Sequence, residues 1–118
     1  KLNSNGRPFG YSTIAGILEN PKYKGWYNIM DPGLEGRSGN YIESSGSAMF
    51  VYGLLKGLRL GYLEGKTYLD AALSGYELMT ETFAEKRKGD GALVWEWTVQ
   101  TGSLSSNGTF EVSCEYGT

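Results

Sequence analysis

In the middle of the chain apolar residues return with the period of a helix. Ala48, Val51, Leu55, Leu58 and Tyr62 follow steps of 3, 4, 3 and 4, which places them on one helical face. Phe50 and Leu54 make the opposite side apolar too, so this helix is predicted to be enclosed on more than one side. Ser44 or Ser45 would cap its start. Gly53, Gly57 and Gly61 recur at every fourth position. Inside a helix each glycine costs about 1 kcal/mol relative to alanine, so the stripe predicts another backbone lying close along it. After Glu64 and Gly65, the residues Leu69, Ala72, Tyr76, Met79 and Phe83 repeat the spacing, with Asp70, Ser74, Glu77, Glu81 and Glu85 on the other side. This is a second, amphipathic helix with one wet face, ended by Gly89, Asp90 and Gly91. The short link makes the pair an antiparallel hairpin with an inner and an outer layer.

The flanks are less regular. Residues 11–18 predict a short helix stopped by Asn20 and Pro21. Residues 24–30 lean toward a short strand, and residues 31–40, with Pro32, Gly33, Gly36 and Gly39, form a loop. Leu93, Trp95, Trp97 and Val99 alternate with polar or smaller residues, as do Phe110, Val112, Cys114 and Tyr116. Both read as strands with one apolar face, joined by a loop at 101–108. The expected class is mainly α, a helical hairpin with short β-strands or a β-hairpin. Such a hairpin can be one unit of a repeated α/α architecture.

Composition narrows the chemistry. The 118 residues carry 11 Lys and Arg against 13 Asp and Glu, a net charge of −2, so no nucleic-acid partner is expected. The absence of histidine removes His general bases and His-ligated metals, and the single Cys114 cannot form an intrachain disulfide. Neither a His-ligated metal site nor a thiolate cluster is therefore expected. The most apolar run, residues 48–55, is closed by Lys56 and Arg59, far short of the ~20 residues a membrane helix needs. The polar opening without a methionine suggests a processed or truncated start.

What remains is carboxylates, aromatics and backbone. Glu43 precedes Ser44, Ser45 and Ser47 where free N–H groups and the helix dipole favour an anion or a sugar hydroxyl; simple capping explains the same residues. Asp31 and Glu43 could serve as an acid and base pair if close in space, although Asp31 also suits the turn before Pro32. Trp26 with Tyr27, and Trp95 with Trp97, could be platforms for sugar rings or plain core. Lys56 and Arg59 could hold a carboxylate or complement the helix dipole. Asn107, Gly108 and Thr109 match a glycosylation acceptor, which matters only in a secreted protein.

The string GWYNIMD from Gly25, a glycine-rich gap, and then NYIESSGSAMFVYGLLKGLRLGYL over residues 40–63 together resemble the unsaturated rhamnogalacturonyl hydrolases of glycoside hydrolase family 105. They resemble more distantly the unsaturated glucuronyl hydrolases of family 88. The match is most specific over residues 40–63 and looser through Tyr68, Ala72 and Tyr76 to Glu111. The resemblance implies an (α/α)6 barrel, of which residues 1–118 would be a single C-terminal segment, with the rest of the barrel as its partner. It also implies release of a 4,5-unsaturated uronic acid from pectin-type oligosaccharides. In that reaction an aspartic acid protonates the C4=C5 double bond and activates the water that adds at C5, without a cofactor.

The family's catalytic aspartate, its histidines and its Trp-x-Arg-Gly-Asn-Gly-Trp motif have no counterpart in the matched segment, so no catalytic residue is assigned and the segment is expected to be inactive alone. Asn28 stands where the family has a glutamine. By resemblance the Glu43–Ser47 corner lies at the barrel mouth, making Glu43, Ser44 and Ser47 the expected substrate-binding residues. The competing reading is a carbohydrate-binding or protein-interaction segment without catalysis.

Overall fold

The computed structural model describes residues 11–20, 24–30, 32–104 and 110–113. Three helices, α1 (Tyr11–Glu19), α2 (Ser44–Arg59) and α3 (Lys66–Thr82), are followed by four short strands, β1 (Ala84–Lys86), β2 (Leu93–Trp95), β3 (Thr101–Leu104) and β4 (Phe110–Ser113). The mainly helical class, with short antiparallel strand pairs, is as expected. Helix α1 matches its predicted span and ends on Asn20 at φ +43°, a left-handed position that asparagine tolerates. Residues 24–30 form no strand beyond one bridge, Tyr27 to Ile42.

Helices α2 and α3 pack against each other around Trp26, which is 1% exposed. The indole stacks on Phe50 with ring centroids 5.0 Å apart and donates its N–H to the Ile17 carbonyl at 2.8 Å. One side chain thereby joins α1, α2 and the underside of α3. Val51, Leu54, Ala71, Ala72, Met79 and Phe83 complete the core. The buried side of α2 is Ser44, Ser47, Val51 and Leu54, turned by about one residue from the predicted face, while Met49, Tyr52 and Leu55 point to solvent. The reason lies on α3, where Ala71, Ala72 and Gly75 face inward and leave no room for large residues. Leu69, Leu73 and Tyr76 accordingly turn outward. Helix α3 therefore lacks the single wet outer face read from the sequence, and each helix of the hairpin carries an uncovered apolar stripe among the described residues.

The glycine stripe also needs correcting. Gly53 has open space around it, Gly57 lies under the Leu63 side chain, and Gly61 adopts φ +74° in the turn after α2. None of these meets a second backbone. Among the helical glycines the tight approach is at Gly75, where an added Cβ would sit 2.7 Å from Val51, 2.9 Å from Trp26 and 3.2 Å from the Lys24 carbonyl. Helix α3 ends at Phe83, earlier than residues 89–91, because the chain at once becomes β1, which pairs with β2 through Ala84–Trp95, Glu85–Val94 and Lys86–Leu93. An Arg87–Asp90 ion pair closes the turn between them. The predicted strand over 93–99 stops at Trp95, and its partner is β1. The expected loop at 101–108 begins as β3, whose partner β4 falls within the second predicted strand. Asp31, Asn107 to Thr109, Cys114 and Tyr116 lie outside the described residues.

No helix among the described residues is long and apolar enough to cross a membrane. Two outcomes follow from the packing. Gly53→Ala should stabilise by up to about 1 kcal/mol, whereas Gly75→Ala should destabilise by about 1–3 kcal/mol because the core cannot open for a methyl; thermal melts of the two variants should move in opposite directions. Expressed alone, these 118 residues should self-associate through the uncovered stripes, and light scattering showing a monodisperse, cooperatively melting monomer would contradict that.

Candidate functional site

The start of α2 gathers all three of the expected substrate-binding residues. Glu43 is the N-cap, with extended backbone at φ −91° and ψ 128°. Its Oε1 accepts from the Ser45 N–H at 3.0 Å and its Oε2 from the Gly46 N–H at 2.5 Å, and the Ser45 hydroxyl lies 2.9 Å from both oxygens. These are the donors that a helix start leaves unpaired. Glutamate reaches further than a serine cap would, and Oε1 also accepts the N–H of Val99 at 3.0 Å. A Cβ at position 46 would lie 3.0 Å from Oε2, so glycine there lets the carboxylate sit close over the helix end.

The neighbouring serines are equally committed. Ser44 is fully buried, its hydroxyl 2.8 Å from that of Thr98, and its N–H donates to the Trp97 carbonyl at 3.1 Å. Ser47, also fully buried, accepts the Trp26 N–H at 3.0 Å. The Glu43 N–H in turn donates to the Trp26 carbonyl at 2.9 Å. Three stretches distant in sequence, near residues 26, 43–47 and 97–99, thus meet at one corner. Glu43, Ser44 and Ser47 come together as expected, and the structure gives their side chains internal partners. Sequence reasoning missed Thr98 and the Val99 N–H, since a backbone donor from a segment read as strand carries no signature of its own.

Burial by itself would raise the Glu43 pKa. The N–H groups of Gly46, Val99 and Ser45, aided by the Ser45 hydroxyl, outweigh it and hold the carboxyl below the ordinary 4.5. An ionised, donor-saturated carboxylate has no proton to give near neutral pH, so Glu43 does not fit a general acid.

The other aromatic and charged candidates scatter. Trp26 belongs to the core and offers no platform. Trp95 is 42% exposed, edge-on to Phe83. Trp97 is half-buried and tilts against Tyr41 at 5.7 Å and 58°. Lys56 donates to the Tyr52 hydroxyl at 3.0 Å and, with Arg59, marks the opposite end of α2 from Glu43. No group of His, Cys, Asp and Glu among the described residues could hold a metal ion.

Comparison with known proteins adds to this geometry. Residues 17–111 match the sequence profile described as Glycosyl Hydrolase Family 88. A protein of Agrobacterium fabrum and a 24.9 kDa protein in the picA locus of Rhizobium radiobacter are each 40% identical over 76 residues, covering 61% of this chain and 32% of theirs. A solved glycoside hydrolase of family 105 from C. acetobutylicum ATCC 824 superposes with a TM-score of 0.60 at 34% identity, over 81% of this chain and 25% of that one. The chain therefore spans about a third of the length of the curated relatives it matches.

Because its acceptors serve the fold, Glu43→Ala should lower stability by about 2 kcal/mol, through the lost cap and the partly buried N–H groups left unpaired. A carboxyl whose folded pKa is depressed contributes stability above its unfolded pKa, and that contribution is lost as pH falls through the folded value. The melting temperature of the wild type should therefore hold above about pH 5 and decline on acidification, while Glu43→Gln starts lower and declines less; parallel profiles would refute this.

Proposed function

The chain belongs to glycoside hydrolase family 88, and from that premise we propose that it forms part of the wall of an (α/α)6 glycosidase that removes a 4,5-unsaturated uronic acid from pectin-type, rhamnogalacturonan-derived oligosaccharides. The observation that carries the reading is the α2–α3 hairpin itself. It holds the glutamate-capped helix within the matched residues 17–111, in a chain that superposes over 81% of its length on a family 105 hydrolase at 34% identity. The glycosidase class has the stronger support. The choice of rhamnogalacturonan rests on the likeness to family 105.

In this reading the chemistry is hydration of a vinyl ether. A carboxylic acid protonates the double bond, water adds at C5, and the resulting hemiketal collapses to release the sugar. That acid belongs to the remainder of the protein, so the isolated segment is inactive. Glu43, Ser44 and Ser47 act on substrate indirectly, by fixing the head of α2 and the 97–99 segment at the mouth of the barrel. Met49, Tyr52 and Leu55 on α2, and Leu69, Leu73 and Tyr76 on α3, are the seams that neighbouring helical hairpins cover.

The complete gene product, given unsaturated rhamnogalacturonan or glucuronan disaccharides, should bleach the ultraviolet absorbance of the conjugated uronate, faster with the former. Failure to bleach either substrate would overturn hydrolysis and favour a binding segment, and a preference for the glucuronyl substrate would overturn the rhamnogalacturonan assignment.

A further inference from the structure

Residues 96–99 cross the corner between two antiparallel ribbons. Strand β2 ends at Trp95, paired with β1, and β3 begins at Thr101, paired with β4. Both ends of the segment are therefore held, while the segment itself belongs to no strand. Its hydrogen bonds run to the end of α3 and the head of α2. The Glu96 N–H donates to the Phe83 carbonyl at 2.9 Å, the Trp97 carbonyl accepts the Ser44 N–H at 3.1 Å, the Thr98 hydroxyl lies 2.8 Å from that of Ser44, and the Val99 N–H donates to Glu43 Oε1 at 3.0 Å. The anchors Phe83, Glu43 and Ser44 are buried, whereas none of the four crossing residues is. Bonds laid over the outside of a buried corner are of the kind that open locally without global unfolding.

Trp97 supplies a reason to open. Its φ is +61°, a left-handed backbone that a bulky side chain adopts only at a cost and that persists only where neighbouring contacts enforce it. The four bonds just given enforce it, and they stand or fall together, because the turn at 97 is what brings residue 96 to α3 and residues 98 and 99 to α2. Releasing them lets residue 97 relax to an extended backbone and breaks no bond within either ribbon. It also returns Glu43 Oε1 and the Ser44 N–H to water, while the Ser45 and Gly46 N–H groups keep their local hold on the carboxylate. We propose that residues 96–99 are a strained strap that opens and closes as one unit over the head of α2, with Trp97 as its spring and the Glu43 carboxylate as its catch. The device is independent of the glycosidase reading.

Residue-resolved hydrogen exchange on the complete gene product tests this. In the wild type the Glu96 and Val99 amides should be protected about tenfold less than the Ser45 and Gly46 amides, although Val99, Ser45 and Gly46 share one carboxylate. Trp97→Gly and Trp97→Ala remove the same indole and differ chiefly in the cost of the left-handed backbone. Protection of Glu96 and Val99 should be about three- to tenfold higher in Trp97→Gly than in Trp97→Ala, by factors that agree within about twofold, with Ser45 and Gly46 unmoved. Should either variant fail to fold, Trp97→Asn and Trp97→Leu decide in their place, since asparagine tolerates the left-handed region and leucine does not. Equal protection in the paired variants would overturn the spring, and different factors at Glu96 and Val99 would overturn the single unit. Ser45 and Gly46 exchanging as fast as Val99, or shifting with it, would mean that the whole corner opens, which also overturns the strap.

Discussion

Burial of Trp26 is the constraint from which the rest of the structure follows. An indole out of water contributes a large apolar surface and brings an N–H that needs a partner. The Ile17 carbonyl at the far end of α1 supplies that partner, and the flat ring fills the gap between Phe50 of α2 and the small residues of α3. Its backbone is as constrained as its ring, for the N–H and carbonyl of residue 26 bond to Ser47 and Glu43. The core and the corner at the head of α2 are thereby one object. Moving the indole would disturb both.

The corner has its own logic. A carboxylate withdrawn from solvent is costly unless donors surround it, and an uncapped helix start is costly unless acceptors reach it. Glu43 offsets each with the other. The length of its side chain lets the same group collect a third segment through Val99, which an aspartate or serine cap would not reach. The serines on either side serve the same purpose. Buried hydroxyls at 44 and 47 connect α2 to segments distant in sequence, Ser44 through the Thr98 hydroxyl and Ser47 through the Trp26 N–H.

Much of this was legible in the chain, and the failures have physical causes. The spacing of Ala48, Val51 and Leu58 was enough to place α2, but apolar residues on all sides left its inward face undecided, and the answer lay on α3, where small residues at 71, 72 and 75 set the distance. The glycine stripe suggested close packing because helix-interior glycine is costly. Gly61 proved to be outside the helix, in a turn that needs positive φ. Alternation from Leu93 to Val99 promised one strand, yet alternation carries no information about hydrogen-bond competition, and the Phe83 carbonyl and the head of α2 together captured residues 96–99. The corner of Glu43, Ser44 and Ser47 is legible as a helix start because a helix start advertises itself. Thr98 is not, since its relevance comes only from what the fold brings beside it.

One feature of the cap bears on how the chain is made. The last donor to Glu43 comes from 56 residues further along the polypeptide, whereas its Ser45 and Gly46 donors are immediate neighbours. While the protein emerges from the ribosome, the helix can wind and take its local donors at once, but the carboxylate waits, partly hydrated, until the 96–99 segment has cleared the exit tunnel and swung back. Completion of the α2 cap is in this sense a late proofreading event, a local bond that registers whether the distant half of the segment has arrived.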